Sequence, residues 1–579
     1  MKLKKKTVFA LVLTSVTIVT ALVAAQNLSI LRISSTGRVG GYPYLLGRVH
    51  GLMCSYLVFK NSTSTYMVNG TTGVIDWYDN DDAKVINAAL GNLTTGRTWK
   101  EKVVLKGFFN VSSVIYVPSY TFLDLRSTVL KQTVTGAGYI IRNIDFVNGD
   151  TQIEIVGGEF NGNDMGTHDH SAICFKRVTH SRVRDVYVHN FSQTAGNSRA
   201  FGIFFVECKW TNLEYSRIEH CDHNGAIFTD CIECDIIGCR AYDNADGGGN
   251  PSMKSAHFTL FGNPGKGCYK CSIINCHGNK TSNFGIQIYR YCNMCTVQGC
   301  TIENWVNGGI NVGGGTGPKW ECYDNSVLNN LIKGKGQIGV EIRANRTVVS
   351  NNVFREVNIG IHSCYRGNSS VITNNQIYGF SIRGIEVYCS HNIISDNYIE
   401  SSTASGPGIE VAEYYVYTIP KNNTVTNNIV YVKSYSGISL RNTVYNYIAG
   451  NTVVAGSGSY SIELNSGCNN NIVEFNSVAD TVHDSGFNNL IRWNRGYVTE
   501  NSGSTTVSSG ENIAHGLVAT PVWATVTCCN ATYDGVPVVV SLDYSAFTSS
   551  TIQVSVYWTN GTEIKDDTIL VMWEARTWN

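Results

Sequence analysis

Hydrophobic residues recur along the middle of the chain in the motif Gly-Ile-x-Val/Leu, which returns roughly every 21 to 31 residues. The clear copies begin at Gly202, Gly285, Gly309, Gly339, Gly360, Gly384, Gly408 and Gly437, and weaker copies lie at Ala172, Gly225, His257 and Ser461. One repeat of this size cannot bury its apolar face without its neighbours. The period therefore predicts a solenoid.

Each repeat carries a second pattern, Asn/Cys-x-Ile/Val-x-x-Asn/Cys-x-Ile, as in segments 392–399 and 471–478. Alternation within such short segments points Ile and Val to one side of a strand. Asn at the intervening turn tolerates a left-handed backbone and can hydrogen-bond its counterpart in the next coil. Two or three short strands in each coil predict an all-β fold, a parallel β-helix.

The patterns divide the chain into five segments. Residues 1–25 combine a basic start with an apolar run, which predicts a signal peptide, or an N-terminal membrane anchor if the run is not cleaved. Residues 26–77 lack periodicity and are predicted to be an N-terminal extension. Residues 78–498 are the predicted β-helix, opened by a short cap helix. A linker at 499–510 then leads to alternating strands at 511–579, predicted to form a small antiparallel β-sandwich.

The repeat and its cap helix resemble the pectin-lyase-like superfamily of right-handed parallel β-helices, over roughly residues 78–495. The resemblance implies a right-handed coil, but that superfamily includes polysaccharide lyases, hydrolases, epimerases, viral tailspikes and non-enzymatic surface proteins. The chain lacks the polygalacturonase and alginate-epimerase motifs, so no activity carries over residue by residue. Segment 513–521 looks like modules appended to other β-helix proteins, which implies glycan binding or oligomer assembly through the C-terminal domain.

Composition narrows the expected partners. Lys plus Arg and Asp plus Glu both number 44, so the formal net charge is zero, and only 15% of residues are charged. A nucleic-acid binder needs a basic surface, so this class is not expected. The export segment predicts a secreted or cell-surface protein, and Asn-x-Ser/Thr sequons predict a glycoprotein if the host glycosylates. The expected partner is an extracellular polysaccharide or glycan, with membrane contact only through an uncleaved N-terminal segment.

The chain has 19 cysteines, and nine of them repeat one spacing in three coils. Adjacent coils lie about 4.8 Å apart, which suits the Cα separation of a disulfide. The sequence therefore favours inter-coil disulfides, with free buried thiols as the alternative. A metal is not expected, because each Cys-x-x-Cys pair lies at a strand start, one per coil. The nine positions are Cys231, Cys234, Cys239, Cys268, Cys271, Cys276, Cys292, Cys295 and Cys300.

One candidate site lies just before the Gly-Ile strand of three successive coils, here called the pre-strand column. It contains Asp169, Arg199 and Asp222, with His170 and His223 beside them. Arg can bind a uronic-acid carboxylate, and Asp or His can move a proton. Asp169, Arg199, Asp222 and His223 are therefore the first-choice catalytic residues. The alternative is an ion-paired ladder that only pins the turns.

The expected substrate contacts surround this column. The longest excursion of the repeat, residues 241–255, could wall a groove, and tyrosines on a later coil could stack on sugar rings. The predicted substrate-binding residues are His170, Asp246, Lys254, Tyr414 and Tyr415.

A second candidate site, here called the strand column, is the residue between the two apolar positions of each Gly-Ile strand. Glu386 and Glu410 should be neighbours at about 5 Å, which suits a retaining pair of carboxylates. Like charges so close should also raise one pKa. The second-choice catalytic residues are Glu341, His362, Glu386 and Glu410, and the alternative is a solvated polar face or a weak cation site. The full column is Gln287, Asn311, Glu341, His362, Glu386, Glu410, Ser439 and Glu463.

These features predict a carbohydrate-active protein that binds an acidic polysaccharide. If the protein is an enzyme, it is expected to cleave that polysaccharide by lyase or hydrolase chemistry. The alternative is a non-catalytic surface, adhesive or tailspike-like protein whose β-helix is a rigid spacer. No cofactor is expected, and a weakly bound calcium ion is left open.

Overall fold

The structure is a computed structural model that describes residues 53–133, 138–164, 170–192, 199–244, 255–314, 321–364, 366–414, 419–456, 458–529, 532–533, 535–565 and 567–578. Within these residues almost all regular secondary structure is β-strand, and most of the strands wind into a coil with three parallel faces. Among them, no helix is long and apolar enough to cross a membrane.

Two faces of the coil merge into one 32-stranded sheet, which includes three strands from residues 56–79 and continues with the long strands Glu101–Val111 and Thr121–Gln132. The first face continues through Glu154–Val156, Thr179–Arg184, Lys209–Glu214, Asp235–Ile237, Ser272–Ile274, Thr296–Gln298, Ser326–Leu328, Val348–Ser350, Val371–Thr373, Ile393–Ser395, Thr424–Thr426, Tyr447–Ala449, Ile472–Glu474 and Leu490–Arg492. The second continues through Glu159–Asn161, Tyr187–Phe191, Arg217–Cys221, Arg240–Tyr242, His277–Thr281, Thr301–Trp305, Leu331–Lys333, Val353–Arg355, Gln376–Tyr378, Tyr398–Ser401, Ile429–Val432, Thr452–Ala455 and Ser477–Val478.

The third face is a separate 15-stranded parallel sheet that contains the Gly-Ile motifs. Its Ile and Val side chains point inward and join one continuous core that runs from Val58 to Val482. The strands are Ile115–Val117, Tyr139–Asn143, His170–Lys176, Ala200–Val206, Asn224–Thr229, Ala256–Phe261, Phe284–Tyr289, Gly308–Gly313, Ile338–Arg343, Ile359–Ser363, Arg383–Val387, Ile409–Ala412, Ile438–Arg441, Ile462–Leu464 and Val482–Asp484.

The repeat glycine is required by close packing between coils. A Cβ on Gly384 would lie 2.5 Å from the carbonyl oxygen of Gly408 and 2.6 Å from the Ile399 side chain. A Cβ on Gly360 would likewise lie 2.5 Å from the Gly384 oxygen. Every second residue of a strand faces the same side, and here that side is filled by the next coil's backbone. The glycine of the motif thus marks a position where the backbone of the next coil fills the space that a side chain would occupy.

The predicted asparagine ladder is confirmed. Each Asn of the ladder accepts a hydrogen bond on its side-chain oxygen from the backbone N–H of the previous member, at 2.9–3.0 Å. The side-chain amide adds a second bond along the same column. The members are Asn330, Asn352, Asn375, Asn397, Asn428, Asn451, Asn476 and Asn494.

In the earlier coils, cysteines take the positions that asparagines occupy in the later ones. The Cys300 N–H donates to Asn330 Oδ1 at 2.8 Å, and the Cys295 N–H donates to Asn325 Oδ1 at 2.9 Å. The nine repeat cysteines are free thiols, so none of the expected inter-coil disulfides is present among them. The sulfurs of the nine repeat cysteines instead donate weak hydrogen bonds to backbone carbonyls. Burial raises the pKa of Cys276 and of Cys300 well above the usual range.

The N-terminal end of the coil is closed by the predicted helix, which spans Asp82–Gly91. Asp81 caps it by accepting from the N–H groups of Ala83 and Lys84, and Val85 and Ile86 lie on its buried face. The described part of the N-terminal extension is more regular than expected. It forms the antiparallel strands Tyr56–Lys60, Thr65–Asn69 and Ile75–Asp79, which the repeat period could not reveal.

The C-terminal residues form two small antiparallel sheets with a separate apolar core. The predicted linker at 499–510 is incorrect in part, because Glu500–Val507 is a strand paired with Ile569–Arg576. Its Ser/Thr-rich sequence suits an edge strand with one solvated side. Trp523–Cys528 completes that three-stranded sheet, and a 3-10 turn lies at Tyr544–Ala546. The four-stranded sheet contains Glu511–Ala514, Thr532–Tyr533, Val536–Asp543 and Thr551–Trp558.

Candidate functional site

The strand column lies on the outer side of the third face, with its members in consecutive register. It is buried rather than solvated: the exposed fractions of Gln287, Glu341, Glu386 and Glu410 are 0, 3, 2 and 5%. The alternative of a solvated polar face is therefore wrong for these positions. Buried carboxylates need partners, because an unpaired buried charge is strongly destabilising.

Glu386 and Glu410 are neighbours in register, as predicted. Arg383 contacts both: its guanidinium lies 3.1 Å from Glu386 Oε1 and 2.5 Å from Glu410 Oε2. A second guanidinium, of Arg441, lies 3.8 Å from Glu410 Oε1. The arginines are more exposed than the carboxylates, with exposed side-chain fractions of 25% for Arg383 and 52% for Arg441. The pair therefore sits beneath a partly exposed basic rim.

The surroundings of the two carboxylates separate their pKa values. Burial raises the pKa of Glu410, and the neighbouring Glu386 charge raises it further. Burial also acts to raise the pKa of Glu386, but hydrogen bonds from His362 and Tyr388 outweigh burial and lower it. His362 Nδ1 lies 2.6 Å from Glu386 Oε2, and the Tyr388 hydroxyl donates to Glu386 Oε1. Environments that shift the pKa values of two paired carboxylates in opposite directions are typical of a catalytic acid and base.

Glu341 and His362 precede Glu386 in the strand column and are also paired in register. Asn311 Nδ2 donates to Glu341 Oε2 at 2.5 Å, and Arg343 Nε donates to Glu341 Oε1 at 2.7 Å. Burial acts to lower the pKa of His362, but hydrogen bonds with Cys364 and Glu386 outweigh burial and raise it to about 10. The ligand atoms of Glu341, His362 and Cys364 all lie within 4.8 Å of one another.

The pre-strand column is only partly described. The His223 N–H donates to the Ala200 carbonyl, which places Asp222 beside Arg199 in the predicted register. His170 is buried with its ring 5.7 Å from Phe191. His223 packs edge-on against Phe201, and its Nδ1 lies 2.6 Å from Asn224 Nδ2. The catalytic assignment to Arg199, Asp222 and His223 stays a prediction.

Four of the predicted site residues, Asp169, Asp246, Lys254 and Tyr415, lie outside the described residues. Tyr414 is described, and its ring lies 4.9 Å from the ring of Tyr388. That contact places Tyr414 near Glu386 of the strand column. The structure thus associates one predicted sugar-stacking residue with the second-choice site.

Sequence reasoning missed the partners that hold the column. Arg343, Cys364 and Tyr388 each lie two residues after a column member, and Arg383 lies three residues before Glu386. Residues two apart on a strand face the same side, so this spacing could have identified the first three. Arg383 could not be found this way, because its reach across two strands depends on the length of its side chain.

The comparison with known protein families agrees with the β-helix fold. Residues 284–453 match the family model described as "Right handed beta helix region". No curated protein matches the chain. The match and the three-faced coil together confirm the right-handed parallel β-helix fold that the resemblance implied.

Solved structures similar to the chain include two kinds of protein. The A-module of the Azotobacter vinelandii mannuronan C-5 epimerase AlgE6 is 14% identical, with 72% of this chain and 95% of that chain covered and a TM-score of 0.43. A mutant tailspike protein of E. coli bacteriophage HK620, in complex with a hexasaccharide, is 11% identical. The coverage is 86% of this chain and 90% of that chain, and the TM-score is 0.46.

Proposed function

We propose that this protein binds an acidic polysaccharide along the outer side of the third face and cleaves it at Glu386 and Glu410. The observation that supports this most is the opposite direction of the two pKa shifts in a pair of adjacent carboxylates. In this proposal Glu410, whose pKa is raised, takes the role of general acid, and Glu386, whose pKa is lowered, takes the role of nucleophile or base. Adjacent strands lie about 4.8 Å apart, close to the carboxylate separation of retaining glycosidases.

The basic rim supports an anionic substrate. Arg383 and Arg441 contact Glu410 while keeping part of each side chain exposed. A uronic-acid carboxylate arriving at the rim could take up the bidentate geometry that Arg favours. Tyr414, beside Tyr388, could stack on a sugar ring. Extracellular location, inferred from the N-terminal segment, would give the protein access to such polymers.

The alternative function is a non-catalytic surface or adhesive protein. One observation favours it: Glu341, Glu386 and Glu410 are all ion-paired and expose 5% or less of their surface. A column of this kind could serve only to hold the coils in register. The two functions differ in whether any substrate reaches the carboxylates.

The test is turnover on a panel of acidic and neutral polysaccharides, measured as new reducing ends and as ultraviolet absorbance of unsaturated products. Glu386→Gln and Glu410→Gln should each lower turnover by about 10²–10⁴-fold, the usual contribution of an acid or base. Glu463→Gln is the matched control, because it lies in the same column two strands beyond Glu410.

The outcomes separate the candidate sites. Loss in Asp222→Asn, with Glu386→Gln unaffected, would move the chemistry to the pre-strand column. Unsaturated products would identify a lyase, and reducing ends without them a hydrolase. Glycan binding by the wild type with no turnover on any polymer would favour the adhesive protein.

A further inference from the structure

A compact set of nitrogen, sulfur and oxygen donors lies one strand from the proposed carboxylate pair. Glu341 is on the strand Ile338–Arg343, His362 is its register partner on Ile359–Ser363, and Cys364 follows two residues after His362. The intervening Ser363 is fully buried, so His362 and Cys364 share the outer side of the strand. Their ligand atoms and that of Glu341 lie within 4.8 Å of one another.

We propose that Glu341, His362 and Cys364 form a binding site for a transition-metal ion of the zinc class. Imidazole with thiolate selects Zn²⁺ and its neighbours, whereas Ca²⁺ and Mg²⁺ take oxygen ligands. Three protein ligands leave one position of a tetrahedral ion open to water or another ligand. This proposal does not depend on the proposed cleavage reaction.

The residues around the three ligands are arranged as metal sites require. Glu386 Oε2 lies 2.6 Å from His362 Nδ1, which leaves Nε2 as the nitrogen to face an ion. A carboxylate behind a histidine ligand fixes the ring and raises its basicity. Arg343 holds Glu341 Oε1 through two of its nitrogens, at 2.5 and 2.7 Å, and Asn311 donates to Oε2, which retains a further acceptor site.

Burial adds a second argument. Glu341 and Cys364 are only 3% and 4% exposed, and the His362 side chain is 13% exposed. An ion held there is shielded from competing water but can be reached past the His362 ring. The repeat cysteines differ, because their sulfurs donate to backbone carbonyls of the coil.

The experiment uses the full chain, with metal removed by chelation and Zn²⁺ or Co²⁺ added back. We expect one ion per chain and a near-ultraviolet thiolate-to-Co²⁺ band. Cys364→Ser should abolish the band, and both Cys364→Ser and His362→Gln should weaken Zn²⁺ binding by more than about 100-fold. Glu386→Gln should weaken it by about 10–100-fold and keep the band, as expected for an outer-shell group.

Cys174→Ser is the matched control, because Cys174 is also buried on the outer side of the third face. It should leave the band and the Zn²⁺ affinity unchanged, and circular dichroism should show that every variant is folded. A band that survives Cys364→Ser would assign the ion to the repeat cysteines and overturn the proposal. Wild type that binds neither Zn²⁺ nor Co²⁺ would also overturn it.

Discussion

At the scale of single residues, the repeat glycine shows how a sequence motif reports a steric limit. In Gly384→Ala the new Cβ would meet the Gly408 carbonyl at 2.5 Å, and a backbone atom cannot move aside as a flexible side chain can. Overpacking of this kind costs about 1–3 kcal/mol. We expect a lower midpoint in urea unfolding followed by circular dichroism. Gly91→Ala is the control, because nothing lies within 4 Å of its Cβ position; equal effects of the two substitutions would contradict the steric explanation.

A second residue makes stability depend on pH. His257 is fully buried, and burial lowers its pKa to about 3 from an unfolded value near 6.5. Protons therefore bind the unfolded chain more tightly, so stability is retained above about pH 6.5 and lost as pH falls toward 3. The loss is about 1.4 kcal/mol per pH unit at most. His257→Gln should make the melting temperature less dependent on pH between about pH 6.5 and 3. The control His391→Gln replaces an exposed histidine and should leave that dependence unchanged.

At the scale of elements, the ladders join coils that contact each other through short strands. Cys300→Asn should extend the asparagine ladder, because its amide could donate to the Ile273 carbonyl that the Cys300 sulfur now contacts. We expect an unchanged or higher melting temperature. Cys300→Asp has the same shape without the donor, and leaving a buried group unsatisfied costs about 1–3 kcal/mol. Equal melting temperatures for the two variants would show that the ladder adds no stability.

The strands and the helix also show how much of the fold could be predicted from the sequence. The parallel coil and the Glu386–Glu410 neighbours follow from the period, because register repeats wherever the motif repeats. The cap helix follows from its own amphipathic pattern behind acidic residues. The strands between residues 56 and 79 and the strand at 500–507 did not follow, since they lie outside the repeat and pair mainly antiparallel. Burial of the strand column was missed for another reason: outward residues of a strand are expected to be solvated, and the partners that enclose this column come from several coils.

At the scale of the whole molecule, the described residues form two apolar cores, one along the coil and one in the C-terminal sheets. The described contacts between them include the ring of Trp578, which lies edge-on at 6.2 Å from Trp493 of the last coil. Trp493 in turn stacks on Phe475 at 5.0 Å. The described residues of one core do not belong to the other, so we expect the solenoid to unfold separately from the C-terminal sheets.

This division predicts two transitions in differential scanning calorimetry. Trp578→Ala removes an aromatic contact worth about 0.5–1.5 kcal/mol, which shifts the melting temperature of a domain below 100 residues by several degrees, about 4–8 °C per kcal/mol. We expect the transition of the C-terminal sheets to fall while that of the coil stays fixed. Trp99→Ala is the control, because Trp99 is an exposed tryptophan near the opposite end of the coil. A single transition that Trp578→Ala moves as a whole would mean that the two cores unfold together.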